Sequence, residues 1–283
     1  MFKIVEKRML EPKVGWLRVE APQIAKKRKP GQFVILRIDD TGERIPLTIA
    51  DSDPATGTIV LICQSVGKTS TQLNQLQTGD FIQDVAGPLG KPSHLENFGT
   101  AVCIGGGVGI AVAYPIAKAL KDLGNKVISI LGARTKDLLI LEQEMRAVSH
   151  EVRITTDDGS YGTKGLVTDA LKALVAEQPV HFVLAIGPTI MMKAVSNLTK
   201  TLNIKTMVSL NPIMIDGTGM CGGCRVSVGG RTQFVCVDGP EFDAHHVDFD
   251  VLMLRQRMYF DEEKAAHKLF DENCKLREQV RNV

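Results

Sequence analysis

The stretch Cys103-Ile104-Gly105-Gly106-Gly107-Val108-Gly109-Ile110-Ala111 decides the fold of the second half of the chain. An apolar run at 101–104 predicts a strand before the glycines, and helical spacing follows at 111–123. Such a turn can bind a nucleotide pyrophosphate through backbone N–H groups at the start of the helix. The G-x-G-x-x-G spacing is incomplete, however, and the second strand ends in Gly132-Ala133-Arg134 without an acidic residue. A tight turn with close helix packing is therefore the alternative interpretation.

Strands and helices alternate on both sides of this turn. The predicted strands are 101–104, 126–131, 151–156, 181–187 and 206–210, and the predicted helices are 111–123, 138–148, 165–176 and 190–202. This order predicts a parallel sheet with helices on both faces. Residues 97–117 carry no charge, but their glycines interrupt any apolar helix, so we expect a strand, a turn and a helix instead of a membrane span.

The first ninety or so residues predict a β-barrel or sandwich. Apolar runs at 14–19, 33–38 and 58–62 are separated by turn signals. Arg44-Ile45-Pro46-Leu47-Thr48 places a cation and a hydroxyl near the start of a strand, where they could contact a pyrophosphate and a flavin ring. Val66-Gly67-Lys68-Thr69-Ser70 places small donors where a helix begins, which favours a second anion site. Taken alone, each of these two motifs is more typical of ordinary surface residues than of a binding site.

The composition excludes several classes of function. The chain has 283 residues, which suggests two domains, and 34 Lys and Arg residues against 32 Asp and Glu, a net charge of +2. That balance argues against a nucleic-acid-binding protein. Hydrophobic residues make up 44% and charged residues 23%, as in soluble globular proteins, so neither a disordered chain nor a membrane protein is expected. The charged N-terminus does not resemble a signal peptide, and we expect a cytoplasmic protein.

A cysteine cluster predicts a metal site. Cys221-Gly222-Gly223-Cys224 is followed by Cys236, and thiols grouped in this way usually hold a metal in a reducing compartment. Zinc is an alternative, although a fourth Cys or His at suitable spacing is missing. His245 and His246 follow among acidic residues, which favours a solvated segment. Cys103 is expected to be buried, and Cys274 to be incidental on a charged helix.

Taken in order, the barrel, R-x-P-L-T, G-x-x-S and G-G-G-x-G motifs resemble the ferredoxin–NADP reductase superfamily over residues 1–212. The resemblance implies FAD in the barrel, NAD(H) in the second domain, and hydride transfer between nicotinamide and flavin without a protein acid–base catalyst. It implies cofactor contacts in the barrel from Arg44, Pro46, Leu47, Thr48, Cys63, Gln64, Ser65, Gly67, Thr69 and Ser70. In the second domain it implies contacts from Gly106, Gly107, Val108, Gly109, Arg134, Asp157, Gly187 and Pro188.

The cysteine region resembles the electron-transfer subunits of bacterial dihydroorotate dehydrogenase, whose [2Fe–2S] cluster is held by C-x4-C-x2-C and a distant fourth Cys. Here Asp216 stands at the first of these positions. An Asp there is similar to the small subunits of NADH-dependent reduced ferredoxin:NADP oxidoreductases. This resemblance implies the cluster ligands Asp216, Cys221, Cys224 and Cys236. It also implies a heterodimer with a larger FAD/[4Fe–4S] subunit, and ferredoxin reached through that complex in electron bifurcation.

We therefore predict a ferredoxin-reductase-like FAD barrel (1–96), a parallel-sheet NAD(P) domain (97–212), a small iron–sulfur segment (213–244) and a helical tail (245–283). The alternatives are a dihydroorotate dehydrogenase electron-transfer subunit and a zinc-stabilised module without catalysis. The tail is highly charged apart from 251–254 and 258–260. With little core of its own, it is expected to dock on the partner subunit, or alternatively to pack on its own chain.

Overall fold

Two seven-stranded sheets form the framework of the fold. The structure is a computed structural model that describes residues 1–281 and the side chains of residues 1–272. The prediction for the side chain of Cys274 lies outside this range. The fold class expected from the sequence, a barrel followed by a parallel α/β sheet, is confirmed.

The first sheet is antiparallel and almost closes on itself. Its strand order is β6-β1-β2-β5-β4-β3-β7, and its two edge strands are separated in sequence by Gln83 alone, so the sheet must curl to bring them together. The strands are β1 Phe2–Glu11, β2 Val14–Glu20, β3 Phe33–Arg37, β4 Ile45–Asp53, β5 Thr58–Gln64, β6 Phe81–Ile82 and β7 Asp84–Leu89. Two helices accompany them, α1 Pro22–Lys27 and α2 Lys68–Gln75. Leu17, Ile49 and Leu61 are fully buried inside the barrel.

The second sheet has β8 near its centre and order β11-β10-β9-β8-β12-β13-β16. The strands are β8 Thr100–Gly106, β9 Lys126–Ala133, β10 Glu151–Thr156, β11 Thr163–Lys164, β12 Phe182–Ile186, β13 Lys205–Ser209 and β16 Glu241–Asp243. The helices are α3 Gly109–Asp122, α4 Glu142–Val148, α5 Val167–Glu177 and α6 Thr189–Thr201. The chain moves from one side of β8 to the other after β11, which opens a crevice at the carboxyl ends of β8 and β12.

The predicted helix at 138–148 is only partly right. A short 3-10 turn, Lys136–Leu138, precedes α4, which begins at Glu142. Between them Leu141 adopts a left-handed backbone with φ of 55°. That conformation cannot continue a right-handed helix, so the apolar residues before it pack as a loop.

The remaining elements lie beyond residue 212. They are the hairpin β14 Arg225–Val228 and β15 Arg231–Phe234, then α7 Val235–Asp238, β16, α8 Phe249–Gln256 and α9 Phe260–Arg281. The expectation that the tail has little core of its own is wrong for α8. Phe249 and Leu252 are buried with Val195 of α6 in one apolar cluster. Cutting the chain after Asp248 would therefore open the core of the second sheet.

A buried carboxyl joins the two sheets. Glu241 of β16 accepts a hydrogen bond of 2.5 Å from Ser93 Oγ, and the Ser93 N–H donates to the Pro30 carbonyl of the barrel at 2.9 Å. Burial raises the pKa of Glu241 to about 7. In the unfolded chain this carboxyl ionises near 4.5, so the folding stability falls as the pH rises from about 4.5 to about 7, where the unfolded chain is ionised and the folded chain still holds the proton.

Glu241→Gln is therefore expected to stabilise the protein at pH 8 and to change little at pH 5. The amide keeps an acceptor for Ser93 and removes the buried charge, a gain of roughly 2 kcal/mol at pH 8. Urea unfolding midpoints at the two pH values measure the effect. Glu20→Gln, at an exposed position of β2, is the matched control. An equal shift for Glu241→Gln at both pH values would contradict the prediction.

Candidate cofactor sites

The glycine turn between β8 and α3 contains two kinds of glycine. A Cβ on Gly105 would lie 2.8 Å from Ile110 Cα, and one on Gly109 would lie 2.3 Å from the Ile186 carbonyl oxygen. These two glycines are required by packing. Gly107 has φ of +55° and nothing within 4 Å of its Cβ position. Tight packing thus explains Gly105 and Gly109, and only Gly107 faces open space where a phosphate could approach.

The other residues predicted to bind the nucleotide lie along the same edge of the sheet. A Cβ on Gly187 would lie 3.1 Å from Gly106 Cα, and a Cβ on Gly106 would lie 3.2 Å from Pro188 Cδ. The ends of β8 and β12 therefore touch at this edge. Arg134 and Asp157 follow β9 and β10 and are exposed. The amide N–H of Asp157 donates to the Ala133 carbonyl at 3.1 Å. Arg134 and Asp157 therefore lie side by side at the ends of two neighbouring strands.

The barrel places its predicted flavin residues on β4 and at the start of α2. Leu47 and Thr48 pair with Val34 and Phe33 of β3, and the stretch from Ile45 to Thr48 is only half-buried. A partly exposed strand surface of this kind can receive a planar ring. Gly67, at the N-cap of α2, has nothing within 4 Å of its Cβ position.

The small side chains around the start of α2 are mostly engaged within the chain. Ser70 Oγ accepts the N–H groups of Val66 and Gly67 at 2.9 and 3.0 Å. Thr69 Oγ1 donates to Glu43 at 2.5 Å. Ser70 thus shapes the turn, which leaves the α2 backbone amides as the candidate donors to an anion.

Residues 63–65 lie at the end of β5, and two of them bond to Asn74 of α2. Asn74 Nδ2 donates to the Cys63 carbonyl at 2.9 Å and to Ser65 Oγ at 2.8 Å. Burial raises the pKa of the Cys63 thiol to about 12, so the thiol stays neutral. Gln64 is the last residue of β5. Sequence reasoning missed Asn74, because its contacts depend on how α2 packs against β5.

The cysteine loop lies directly against the barrel. Arg44 Nη2 is 3.5 Å from the Asp216 carbonyl oxygen. A Cβ on Gly217 would lie 2.8 Å from both Ile35 of β3 and Leu89 of β7. The predicted flavin residues and the predicted cluster residues therefore adjoin one another, as direct electron transfer between two bound groups requires.

Two of the predicted metal ligands already touch. The sulfurs of Cys224 and Cys236 are 3.3 Å apart and buried, and the Cys236 N–H points to the Cys224 sulfur at 3.4 Å. Cys221 is exposed, with its sulfur 3.5 Å from the Gly223 nitrogen. Soft thiolates that accept backbone N–H groups suit an iron–sulfur cluster. Among the described residues, no three or more candidate ligands surround one common metal position.

Asp216 faces its own loop. Its Oδ2 accepts the Cys221 N–H at 2.7 Å, and its Oδ1 accepts the Thr218 N–H and hydroxyl. These amides, that of Thr218 first, lower the pKa of Asp216 to about 2. The carboxylate is therefore ionised at neutral pH, as a ligand must be.

His245 and His246 have partners outside the cysteine loop. His245 Nε2 is 3.0 Å from Thr199 Oγ1 of α6, and burial lowers the pKa of this imidazole. The expectation of a solvated segment fits His246, which is exposed beside Asp243, and is wrong for the half-buried His245.

Arg255 of α8 is a residue that sequence reasoning missed. Its Nη2 donates to the Gly223 carbonyl at 3.0 Å and so ties the cysteine loop to the tail. The sequence offers no signal for this contact, because Arg255 looks like one more charge on a charged helix. Within the described residues, none of the helices has the length and apolar character to cross a bilayer.

Comparison with known proteins agrees with this geometry. Residues 211–248 match the iron–sulfur cluster binding domain of dihydroorotate dehydrogenase B, and residues 103–197 match the oxidoreductase NAD-binding domain. A dihydroorotate dehydrogenase B electron-transfer subunit homolog of Thermotoga maritima is 48% identical over 95% of each chain. The electron-transfer subunit of Bacillus caldolyticus dihydroorotate dehydrogenase B is 35% identical over 86% of this chain and 96% of its own length.

Solved structures extend the comparison. A chain of the NADH-dependent reduced ferredoxin-NADP oxidoreductase, whose structure concerns flavin-based electron bifurcation, superimposes with a TM-score of 0.91 at 47% identity, over 95% of this chain and 98% of that one. The Amycolatopsis cytochrome P450 reductase superimposes with a TM-score of 0.60 at 21% identity, over 71% and 65% of the two chains. The second likeness concerns the fold alone.

Proposed function

Because this chain belongs to the family of dihydroorotate dehydrogenase B electron-transfer subunits and their homologues, we propose that it is the small subunit of an NADH-dependent reduced ferredoxin:NADP oxidoreductase. It is an oxidoreductase-type electron-transfer subunit for NAD(H), FAD and an iron–sulfur cluster. The likeness to the ferredoxin-NADP oxidoreductase chain over nearly the full length of both chains supports the finer assignment.

The observation that carries the proposal is the contact between the cysteine loop and the barrel. Arg44 belongs to the predicted flavin site and Asp216 to the predicted cluster site. The Arg44 guanidinium lies 3.5 Å from the Asp216 carbonyl oxygen, so the two sites are neighbours. The bound cofactors supply hydride and one-electron chemistry. The chain's residues bind and orient: the turn at Gly107 receives the nucleotide pyrophosphate, β4 and the α2 amides hold FAD, and the thiolates of Cys221, Cys224 and Cys236 hold a [2Fe–2S] cluster.

No side chain is needed as a general acid or base in this scheme. Each predicted site uses backbone amides, thiolates and fixed charges, which suits the transfer of electrons rather than the making of carbon bonds. Cys63 of β5 and Cys103 of β8 are buried in the cores of the two sheets, so neither belongs to the cysteine loop.

The second candidate is the electron-transfer subunit of dihydroorotate dehydrogenase itself. The match of residues 211–248 and the relatives at 35% identity favour it. Asp216 favours the oxidoreductase, because the dihydroorotate dehydrogenase pattern has Cys there. A zinc-stabilised module without catalysis is not supported, because the cysteine region matches an iron–sulfur domain.

A larger partner subunit completes the proposed enzyme. Relatives of this chain are electron-transfer subunits, which function within a complex. We infer a heterodimer whose larger subunit carries FAD and [4Fe–4S] clusters and exchanges electrons with ferredoxin and NADP.

The test is anaerobic purification of the tagged full-length chain from its native cell, with identification of the second chain by mass spectrometry. We expect flavin and iron–sulfur absorption, bleaching by NADH, and a complex that couples NADH, ferredoxin and NADP. A complex that instead oxidises dihydroorotate with NAD⁺ would establish the second candidate. A colourless protein would exclude both.

A further inference from the structure

A cavity of about 450 Å³ separates the turn before α2 from the C-terminal helix α9. Val66 forms one wall, and one face of α9 forms the other, with Phe260, Lys264 and His267 among its lining residues. Val66 is 79% exposed and Phe260 is 51% exposed. Two apolar side chains thus face a shared space without filling it.

Helix α9 contacts α2 at this place. His267 Nε2 lies 3.5 Å from Thr71 Oγ1 of α2. Lys264 Nζ lies 4.1 Å from the centre of the Phe260 ring, so a cation and an aromatic face occur together. For the part of the tail that the structure describes, the contact with Thr71 favours packing on its own chain.

The cavity begins where the predicted flavin site ends. Val66 directly precedes Gly67, whose neighbouring amides are the proposed donors to the FAD pyrophosphate. A dinucleotide with its isoalloxazine ring at β4 and its pyrophosphate at this turn would have its adenosine close to the turn, within reach of Val66. Adenine stacks well on an aromatic side chain, and base–aromatic stacking is sequence-tolerant and substantial.

We propose that α9 completes the FAD site by receiving the adenosine end of FAD between Val66 and Phe260. This inference rests on the proposed function, since it takes FAD as the barrel cofactor. It assigns the tail to cofactor binding instead of to partner docking. Phe260 supplies the stacking surface, and the carboxylates of Glu263, Asp271 and Glu272, which also line the cavity, supply acceptors for the ribose hydroxyls.

The experiment compares FAD with FMN, which has the same flavin and one phosphate but lacks the adenosine. The full-length chain is stripped of flavin, and the dissociation constants of both flavins are measured by fluorescence quenching. We expect Phe260→Ala to weaken FAD binding by about tenfold and to leave FMN binding unchanged. Phe260→Trp should keep the affinity for FAD. Leu269→Ala is the matched control, because Leu269 is 60% exposed on the same helix and does not line the cavity.

Several outcomes would overturn the inference. Unchanged FAD affinity in Phe260→Ala excludes the contact, and an equal loss for FAD and FMN indicates a general structural effect. Loss of partner co-purification with FAD affinity unchanged would assign α9 to docking. A wild-type chain that binds FAD no better than FMN refutes the adenosine site while leaving the proposed function intact. A wild-type chain that binds neither flavin overturns both.

Discussion

Gly107→Asp is expected to slow NADH-dependent reduction of the bound flavin by about 10- to 100-fold, because a carboxylate would repel the pyrophosphate and displace it from the turn amides. Gly107 is the residue of the turn that combines φ of +55° with open space. The barrel residues lie on another sheet, so FAD content should stay at the wild-type level. Stopped-flow reduction at several NADH concentrations, with flavin quantified after denaturation, measures both quantities.

Gly229→Asp is the matched control for backbone strain. Gly229 has φ of +58° and nothing within 4 Å of its Cβ position, in the turn between β14 and β15. The two variants carry the same charge and the same strain at different places. Unchanged NADH kinetics in Gly107→Asp, or equal slowing in both variants, would contradict the assignment of the nucleotide site to this turn.

Local pattern was sufficient to predict the parallel sheet. Each of its first strands is a short apolar run followed by helical spacing, and the right-handed crossover rule leaves few ways to assemble such units. The glycine turn was predictable for the same reason. The different roles of its glycines were not predictable, because the atoms that exclude a Cβ at Gly109 belong to Ile186, which is far away in sequence.

Contacts between distant segments explain the failures. Strand β16 completes the second sheet from beyond residue 240, and burial raises the pKa of Glu241 on this strand although the hydrogen bond from Ser93 acts in the opposite direction. The charge of the tail predicts a segment with little core of its own. In the structure, however, Phe249 and Leu252 are buried in the core and Arg255 binds the cysteine loop. A charged helix with a few apolar residues does not reveal which of them will be covered.

Ser70 illustrates a smaller limit at the flavin site. The G-x-x-S motif predicts donors at the start of a helix, and the helix does begin there. The Ser70 hydroxyl, however, accepts the N–H groups of Val66 and Gly67. The motif thus locates the anion site through a residue that builds the turn, and whether Ser70 also contacts the cofactor stays a prediction.

Asp216 decides between the two candidate functions, and its substitution should have a large effect on the cluster. Both carboxylate oxygens accept N–H groups of the loop, from Thr218 and Cys221. An ionised carboxylate has about four lone-pair sites, so these hydrogen bonds leave room for a bond to iron. A cap of the turn and a ligand of the cluster are therefore compatible roles, and only the second one changes the electronic structure of the iron.

Three substitutions separate the two roles. Asp216→Cys should keep the cluster and shift its visible bands and EPR g-values toward those of an all-Cys cluster, because a thiolate is a softer donor than a carboxylate. Asp216→Ala should make the cluster labile. Asp216→Asn retains an acceptor for one loop amide but removes the anionic ligand, so a shifted spectrum or a lost cluster in this variant indicates ligation.

Asp238→Asn is the control for a purely capping Asp in the same segment. Asp238 accepts the Phe234 N–H at 2.8 Å and lies two residues after Cys236, so its loss disturbs a comparable turn without removing a proposed ligand. We expect this variant to show the wild-type EPR spectrum and iron content. If Asp216→Cys and Asp216→Asn show them as well, Asp216 only caps its turn. The fourth donor would then have to come from elsewhere, and His245 would have to leave Thr199 to reach the thiols.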